Sequence, residues 1–281
     1  MASANIVGYQ DLETTAVKSP MFGFTFMPVG GGDTVLLGSV TALGMNGGRD
    51  TVQVINPETL APDAQYTYYS DAQARAEAME EAEGDPEAFE EVYEELKELV
   101  GWWVAGALGR TSANDVEVKV GSGFLGLSPD KNNISFTCAG QVPTTSTSYS
   151  TGAVKSPIVA NYLPSNCYLK DIVVNGMNGG RDTVQVINPE TLAPDAQYTY
   201  YSDAQARAEA MEEAEGDPEA FEEVYEELKE LVGWWVAGAL GRTPAGDVVV
   251  GAGKAFLGLS PDRNNLTFNF KSALDITPVV E

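Results

Sequence analysis

Residues 44–111 read GMNGGRDTVQVINPETLAPDAQYTYYSDAQARAEAMEEAEGDPEAFEEVYEELKELVGWWVAGALGRT, and the same 68 letters return without a change as residues 176–243. Repeats under selection for packing diverge first on their surfaces, so perfect identity inside diverged flanks implies recent duplication, gene conversion or design. The block itself changes character twice. It opens with β-type alternation in Thr51-Val-Gln-Val-Ile55 and Tyr66-Thr-Tyr-Tyr69, turns to helix formers from Ser70 to Val100, and returns to Gly101-Trp-Trp-Val104. That order places a helical hairpin inside a β framework.

Outside the block the repeat persists in weaker form. Ala16-Val-Lys-Ser-Pro20 matches Ala153-Val-Lys-Ser-Pro157, and Phe124-Leu-Gly-Leu-Ser-Pro-Asp130 matches Phe256-Leu-Gly-Leu-Ser-Pro-Asp262. The first pair is spaced by 137 residues rather than 132, which the glycine run Gly30-Gly31-Gly32 accommodates as a longer loop. Further strands are expected at Phe22–Phe26, Val116–Val120 and Ile134–Cys138, with turns at Asn46-Gly47-Gly48, Asn56-Pro57 and Ser128-Pro129-Asp130. The expected fold is mainly β: two tandem homologous β-barrel or β-sandwich domains, each with an inserted acidic α-helical hairpin. The first spans residues 1–141 with its insert at 70–101, the second 142–281 with its insert at 202–233.

Within the hairpin, Ser70 and Gln73 have capping-box spacing, Gly84 ends the first helix, Asp85-Pro86 starts the second, and Gly101 ends it. Phe89, Val92, Tyr93, Leu96, Leu99 and Val100 form one apolar face of the second helix, opposite Glu87, Glu90, Glu91, Glu94, Glu95 and Glu98. The first helix is expected to meet it through Ala72, Ala76, Met79 and Ala82. Glu pairs four apart repel by a few tenths of a kcal/mol each, so packing has to outweigh them.

The net charge is −25. One repeated block carries 15 acidic against 4 basic residues, so the two blocks hold nearly all of the excess. Nucleic acid and anionic membrane are therefore not expected partners. No apolar run is long enough for a membrane span, and the first residues lack the layout of a signal peptide. Polar, Thr- and Ser-rich β segments with few cysteines nevertheless fit a protein located outside the cell or on its surface. Cys138 and Cys167 stand where the opposite halves have Phe270 and Val35, which favours buried free thiols over a disulfide.

There is no histidine in the chain, which removes the usual neutral-pH base, the Ser-His-Asp and Cys-His arrangements and the commonest zinc ligand. Gly121-Ser-Gly-Phe-Leu-Gly126 fits GxGxxG, but its twin Gly253-Lys-Ala-Phe-Leu-Gly258 lacks the middle glycine. Ser128-Pro-Asp-Lys131 fits SxxK, yet its twin ends in Arg263, which cannot act as a base. The Glu-rich helix face reads as a solvated face, not a cation or glycosidase site. No catalytic residue, cofactor or metal ligand is expected. Tyr66, Tyr68, Tyr69, Trp102 and Trp103, with Tyr198, Tyr200, Tyr201, Trp234 and Trp235, read as core residues, as platforms for a glycan partner, or as anchors between subunits. Asn133-Ile-Ser135 and Asn265-Leu-Thr267 are acceptor sequons at equivalent positions.

The succession AVKSP, DTVQVINPET, TYY, GWW, GFLGLSP and ISFTCAGQV resembles tandem β-domain surface proteins of environmental bacteria, some of which resemble subunits of extracellular tubes. The resemblance implies a lattice or filament subunit and brings no active-site residue with it. The expected function is a noncatalytic, self-assembling structural protein whose partner is itself. Candidate contacts are the aromatic residues Tyr68, Trp102, Trp103, Tyr200, Trp234 and Trp235, and the terminal segments Ala4–Gly8, with Ile6 and Val7, and Asp275–Val280, with Ile276 and Val279. Either terminal segment could add a strand to a neighbour's open edge. Alternative readings are a carbohydrate-binding or adhesin module using the Tyr and Trp clusters, and an engineered scaffold displaying copied hairpins.

Overall fold

The computed structural model describes residues 7–14, 19–25, 28, 32–55, 62–153, 155–187, 194–272, 274–276 and 279. The chain divides into two compact units, Met1–Val142 and Pro143–Glu281. It is mainly β, with twenty strands and four helices among the described residues.

In the first unit the strands are β1 (Val7–Glu13), β2 (Met21–Phe22), β3 (Thr34–Leu36), β4 (Thr41–Leu43), β5 (Thr51–Ile55), β6 (Pro62–Tyr69), β7 (Gly101–Val104), β8 (Glu117–Lys119), β9 (Phe124–Leu127) and β10 (Ser135–Gln141). They form antiparallel sheets ordered β2-β9-β5-β6-β7, β1-β10-β4 and β3-β8. Side chains alternate inward as expected: Ile134, Phe136 and Cys138 are all buried, as are Val118 and Val120. Phe22 stacks on Phe136 at 4.3 Å between ring centroids and on Phe124 at 5.2 Å, so the five- and three-stranded sheets share one core. No sheet closes into a barrel among the described residues, contrary to one of the expected forms. The five-stranded sheet runs out into the two-residue β2 at one edge and the four-residue β7 at the other, too little ladder to join edge to edge. Of the strand expected at Phe22–Phe26, β2 covers only the start, and Phe26 lies outside the described residues.

In the second unit the strands are β11 (Thr147–Ser150), β12 (Ile158–Ala160), β13 (Cys167–Tyr168), β14 (Ile172–Asn175), β15 (Thr183–Ile187), β16 (Pro194–Tyr201), β17 (Gly233–Val236), β18 (Val249–Val250), β19 (Ala255–Leu259) and β20 (Thr267–Phe270). The sheet orders β12-β19-β15-β16-β17, β11-β20-β14 and β13-β18 repeat those of the first unit. A register shift between Gln53 and Ile55 recurs between Gln185 and Ile187. Identical sequence carries identical irregularity.

Between β6 and β7 lie α1 (Asp71–Glu81) and α2 (Pro86–Lys97); between β16 and β17 lie α3 (Asp203–Glu213) and α4 (Pro218–Lys229). Ser70 caps α1 by accepting the Gln73 N–H at 3.1 Å, and Asp85 caps α2 by accepting the Glu87 N–H at 2.9 Å. The capping box is only half formed, because the Gln73 side chain is used elsewhere. Glu83 and Gly84 turn the chain with φ of 49° and 91°.

The hairpin has its own core of Tyr69, Ala74, Ala78 and Tyr93, against which Phe89, Val92, Leu96, Leu99, Val100 and Trp103 pack. The α2 face is the one the spacing indicates. The α1 face is so only at Ala82: it is buried in a row with Ala74 and Ala78, four apart, while Ala72, Ala76 and Met79 are exposed. Three alanines in one row let the α2 aromatics approach closely, whereas methionine in that row would hold the helices apart.

Candidate interaction surfaces

The paired aromatics are structural. Trp102 is 1% exposed and Trp234 3%; their indole N–H groups donate to the carbonyls of Val40 and Ile172, each at 2.7 Å. Tyr68 meets Trp102, and Tyr200 meets Trp234, at 5.2 Å between centroids. These four rings are brought together two by two, and inside their cores. Trp103 and Trp235 are half-buried, donating to the carbonyls of Leu99 and Leu231 at 2.7 Å. A sugar ring stacks on an open aromatic face, and burial leaves Trp102, Trp234, Tyr68 and Tyr200 without one. The alternation in Tyr66–Tyr69 was legible, but which parity faced the sheet core and which the hairpin was not.

Tyr69 instead joins the sheet to the arm. Its hydroxyl donates to Glu77 Oε2 at 2.5 Å, the Gln73 amide donates to Glu77 Oε1 at 3.0 Å, and the Gly47 N–H donates to Gln73 Oε1 at 3.2 Å. Burial, and then the Glu77 carboxylate, push the Tyr69 phenol above its ordinary value. The two helices are clipped by a second cluster: the Tyr93 hydroxyl donates to Asp71 Oδ1 at 2.5 Å, and Arg75 donates to Asp71 Oδ2 and to the Tyr93 hydroxyl, both at 2.8 Å. Arg75 also lies over the Tyr93 ring, 4.4 Å from its centroid. Hydrogen bonds from Tyr93 and Arg75 hold the Asp71 carboxyl below the usual range. The Asp71 cluster recurs around Tyr225, and the Tyr201 hydroxyl likewise donates to Glu209, but Gln205 donates to the Met177 carbonyl instead of to Glu209. The arm is therefore held to its sheet by directional bonds as well as by apolar contact.

Of the terminal candidates, Ile6 lies outside the described residues. Val7 begins β1, opposite Gln141 in its own unit, so its strand is already engaged on one side. Ile276 and Val279 are half-buried and in no described strand. The outer strands leave backbone on one side of each sheet, and on β14 part of it is already taken, since the Ile172 carbonyl accepts from Trp234 and the Val173 carbonyl from the Asn269 amide. β1 and β4 flank β10, and β11 and β14 flank β20, so each outer strand is paired on one side among the described residues. Leu43 on β4 and Val173 on β14 point outward and are exposed.

The SxxK motif is a turn, and the GxGxxG stretch runs from a turn at Gly121 into β9. Ser128 Oγ accepts the Asn132 N–H at 2.8 Å, while Lys131 has φ 58°; Ser260, Asn264 and Arg263 repeat this with φ 59°. Both cysteines are free and buried, and burial pushes each thiol up to about 12. Among the described residues no group of three or more His, Cys, Asp or Glu is placed to hold a metal ion, and no helix is long and apolar enough to cross a membrane.

Two kinds of concavity stand out among the described residues. A polar groove of about 540 Å³ lies beside Tyr201, Gln205, Glu209 and Arg242. An apolar cleft sits at the tip of each arm, beside Met79 in the first and Met211 in the second. The exposure of Met79 is not legible in the sequence, because rows through Ala72 and Ala76 and through Ala74 and Ala78, two residues apart, both lead to Ala82. Set against known proteins, the chain matches no family model and no curated protein.

Proposed function

We propose that this protein is a noncatalytic structural subunit that associates with its own copies into an extracellular tube, filament or surface lattice. The observation that supports this most directly is the pair of three-stranded sheets with outer strands β4 and β14, which carry the exposed Leu43 and Val173. An outer strand presents a row of unpaired N–H and C=O groups, and proteins that stay monomeric usually guard such edges with charge or proline. Here the guard is absent at those two side chains. One chain bears two such edges, one per unit, and contacts between unlike edges of successive copies do not close unless the rotation happens to make a ring. Growth into a polymer is the consequence.

The acidic arms fit the same reading. They carry like charge, so arms of neighbouring copies repel and association is left to the near-neutral β frame. The test is a concentration series of the full chain by size-exclusion chromatography and negative-stain microscopy, beside a Leu43→Glu, Val173→Glu variant. Polymers from the parent and discrete particles from the variant are expected. A parent that stays monomeric at its solubility limit would end the proposal.

A further inference from the structure

At the tip of the first arm, Met79 and Ala82 of α1 and its cap, Gly84, Asp85, and Pro86 and Phe89 of α2 wall a cleft of about 290 Å³. The second arm repeats it with Met211 and Phe221, at about 300 Å³. Met79 is 68% exposed and Met211 67%. Neither thioether packs into the arm's own core. Methionine is unbranched and polarizable, and it adapts to whatever side chain is pressed against it. Around the cleft Glu80, Glu81, Glu83 and Glu87 are exposed, and no Lys or Arg occurs between Arg75 and Lys97.

We propose that each cleft docks an apolar side chain of a basic amphipathic segment on another protein, with the glutamates binding the flanking Lys and Arg residues. Charge complementarity selects that occupant. A second copy of this chain would bring a net charge of −25 and the same glutamate rim, and an anionic lipid surface would meet the same repulsion. A cationic segment is steered in by those charges and held by the apolar contact, in the manner of an amphipathic helix laid into a groove. The volume is at the low end of the range for binding pockets, roughly 300 Å³ and upward, which suits one large side chain. Two identical clefts make the chain bivalent for such a partner.

The test titrates the full chain into a fluorescein-labelled amphipathic peptide of leucine and lysine, about 18 residues long with apolar residues at helical spacing, read by anisotropy. Saturable binding at two peptides per chain is expected, weakening about tenfold when NaCl rises from about 50 to about 300 mM. The surface double variant Met79→Ser, Met211→Ser, with unchanged circular dichroism, should weaken it about tenfold, and a peptide of the same composition in scrambled order should bind about tenfold less tightly. Equal binding of the scrambled peptide, or no effect of the double variant, would overturn the assignment in favour of diffuse attraction to acid. Cosedimentation of the chain, without peptide, with phosphatidylglycerol vesicles, or loss of self-association in the double variant without peptide, would overturn it in favour of a lipid surface or a second copy. Leu43→Glu, Val173→Glu should bind the peptide normally, which separates this inference from the assembly reading.

Discussion

Two glycines inside the identical block show how much one missing Cβ can matter. Gly44 has φ +77°, and a Cβ there would lie 2.4 Å from the Asn133 carbonyl oxygen; Gly84 has φ +91° with nothing within 4 Å. Gly84→Ala therefore incurs left-handed strain alone, about 1 kcal/mol, while Gly44→Ala must also displace backbone and should cost about 2 kcal/mol or more. Urea denaturation checks the ranking, and equal costs would refute it. Buried acids make a second prediction. The thiols of Cys138 and Cys167 and the phenols of Tyr68, Tyr69, Tyr200 and Tyr201 all have folded values raised chiefly by burial. A raised value means the fold favours the protonated form, so stability is complete below the unfolded values, about 9 for thiol and 10 for phenol. It is lost as pH climbs through the folded ones. The melting temperature should be flat from about pH 7 to 9 and fall above that. A Cys138→Ala, Cys167→Ala variant should lose the earliest part of the fall.

The arm is an element with a small core of its own, joined to the sheet through Tyr69, Glu77, Gln73 and Gly47. Elements with few buried contacts open before the global transition. Hydrogen exchange should therefore show α1 and α2 amides exchanging faster than those of β5, β6 and β9. Tyr69→Phe removes one hydrogen bond to a charged acceptor, about 1.5–3 kcal/mol, so α1 exchange should accelerate about tenfold or more while β9 is unchanged. If α1 and β9 accelerate together, the arm is not a separate opening unit. The existence and ends of this element were readable from Ser70, Gly84 and Asp85-Pro86, because caps and breakers act locally. The face of α1 was not, since the rows Ala74, Ala78, Ala82 and Ala72, Ala76, Met79, Ala82 both satisfy helical spacing, and only contact with Tyr93 and Tyr69 separates them.

Each unit holds its own sheets, and the division falls between Val142 and Pro143. A fragment of residues 1–142 should accordingly fold alone and unfold cooperatively, as judged by circular dichroism and dispersed amide NMR signals. A fragment lacking both would show that the second half supplies part of the first unit's stability. With two units per chain, the parent is expected to unfold in more than one step. A substitution in one block then leaves its twin as an internal control.

Local order and covalent repetition were settled by the amino-acid series alone: the duplicated block, the strand alternation at Ile134, Phe136 and Cys138, the helix caps and the concentration of acid in the arms. Each rests on interactions between near neighbours or on simple counting. Closure was beyond it. Whether strands join into a barrel or layer as open sheets depends on which distant edges meet, and the pairing of Phe22 with Phe136 spans most of a unit. The roles of Trp102 and Met79 were likewise decided in three dimensions. The hydrophobic effect rewards burial without regard to residue identity, so packing put one ring in the core and left one thioether in solvent.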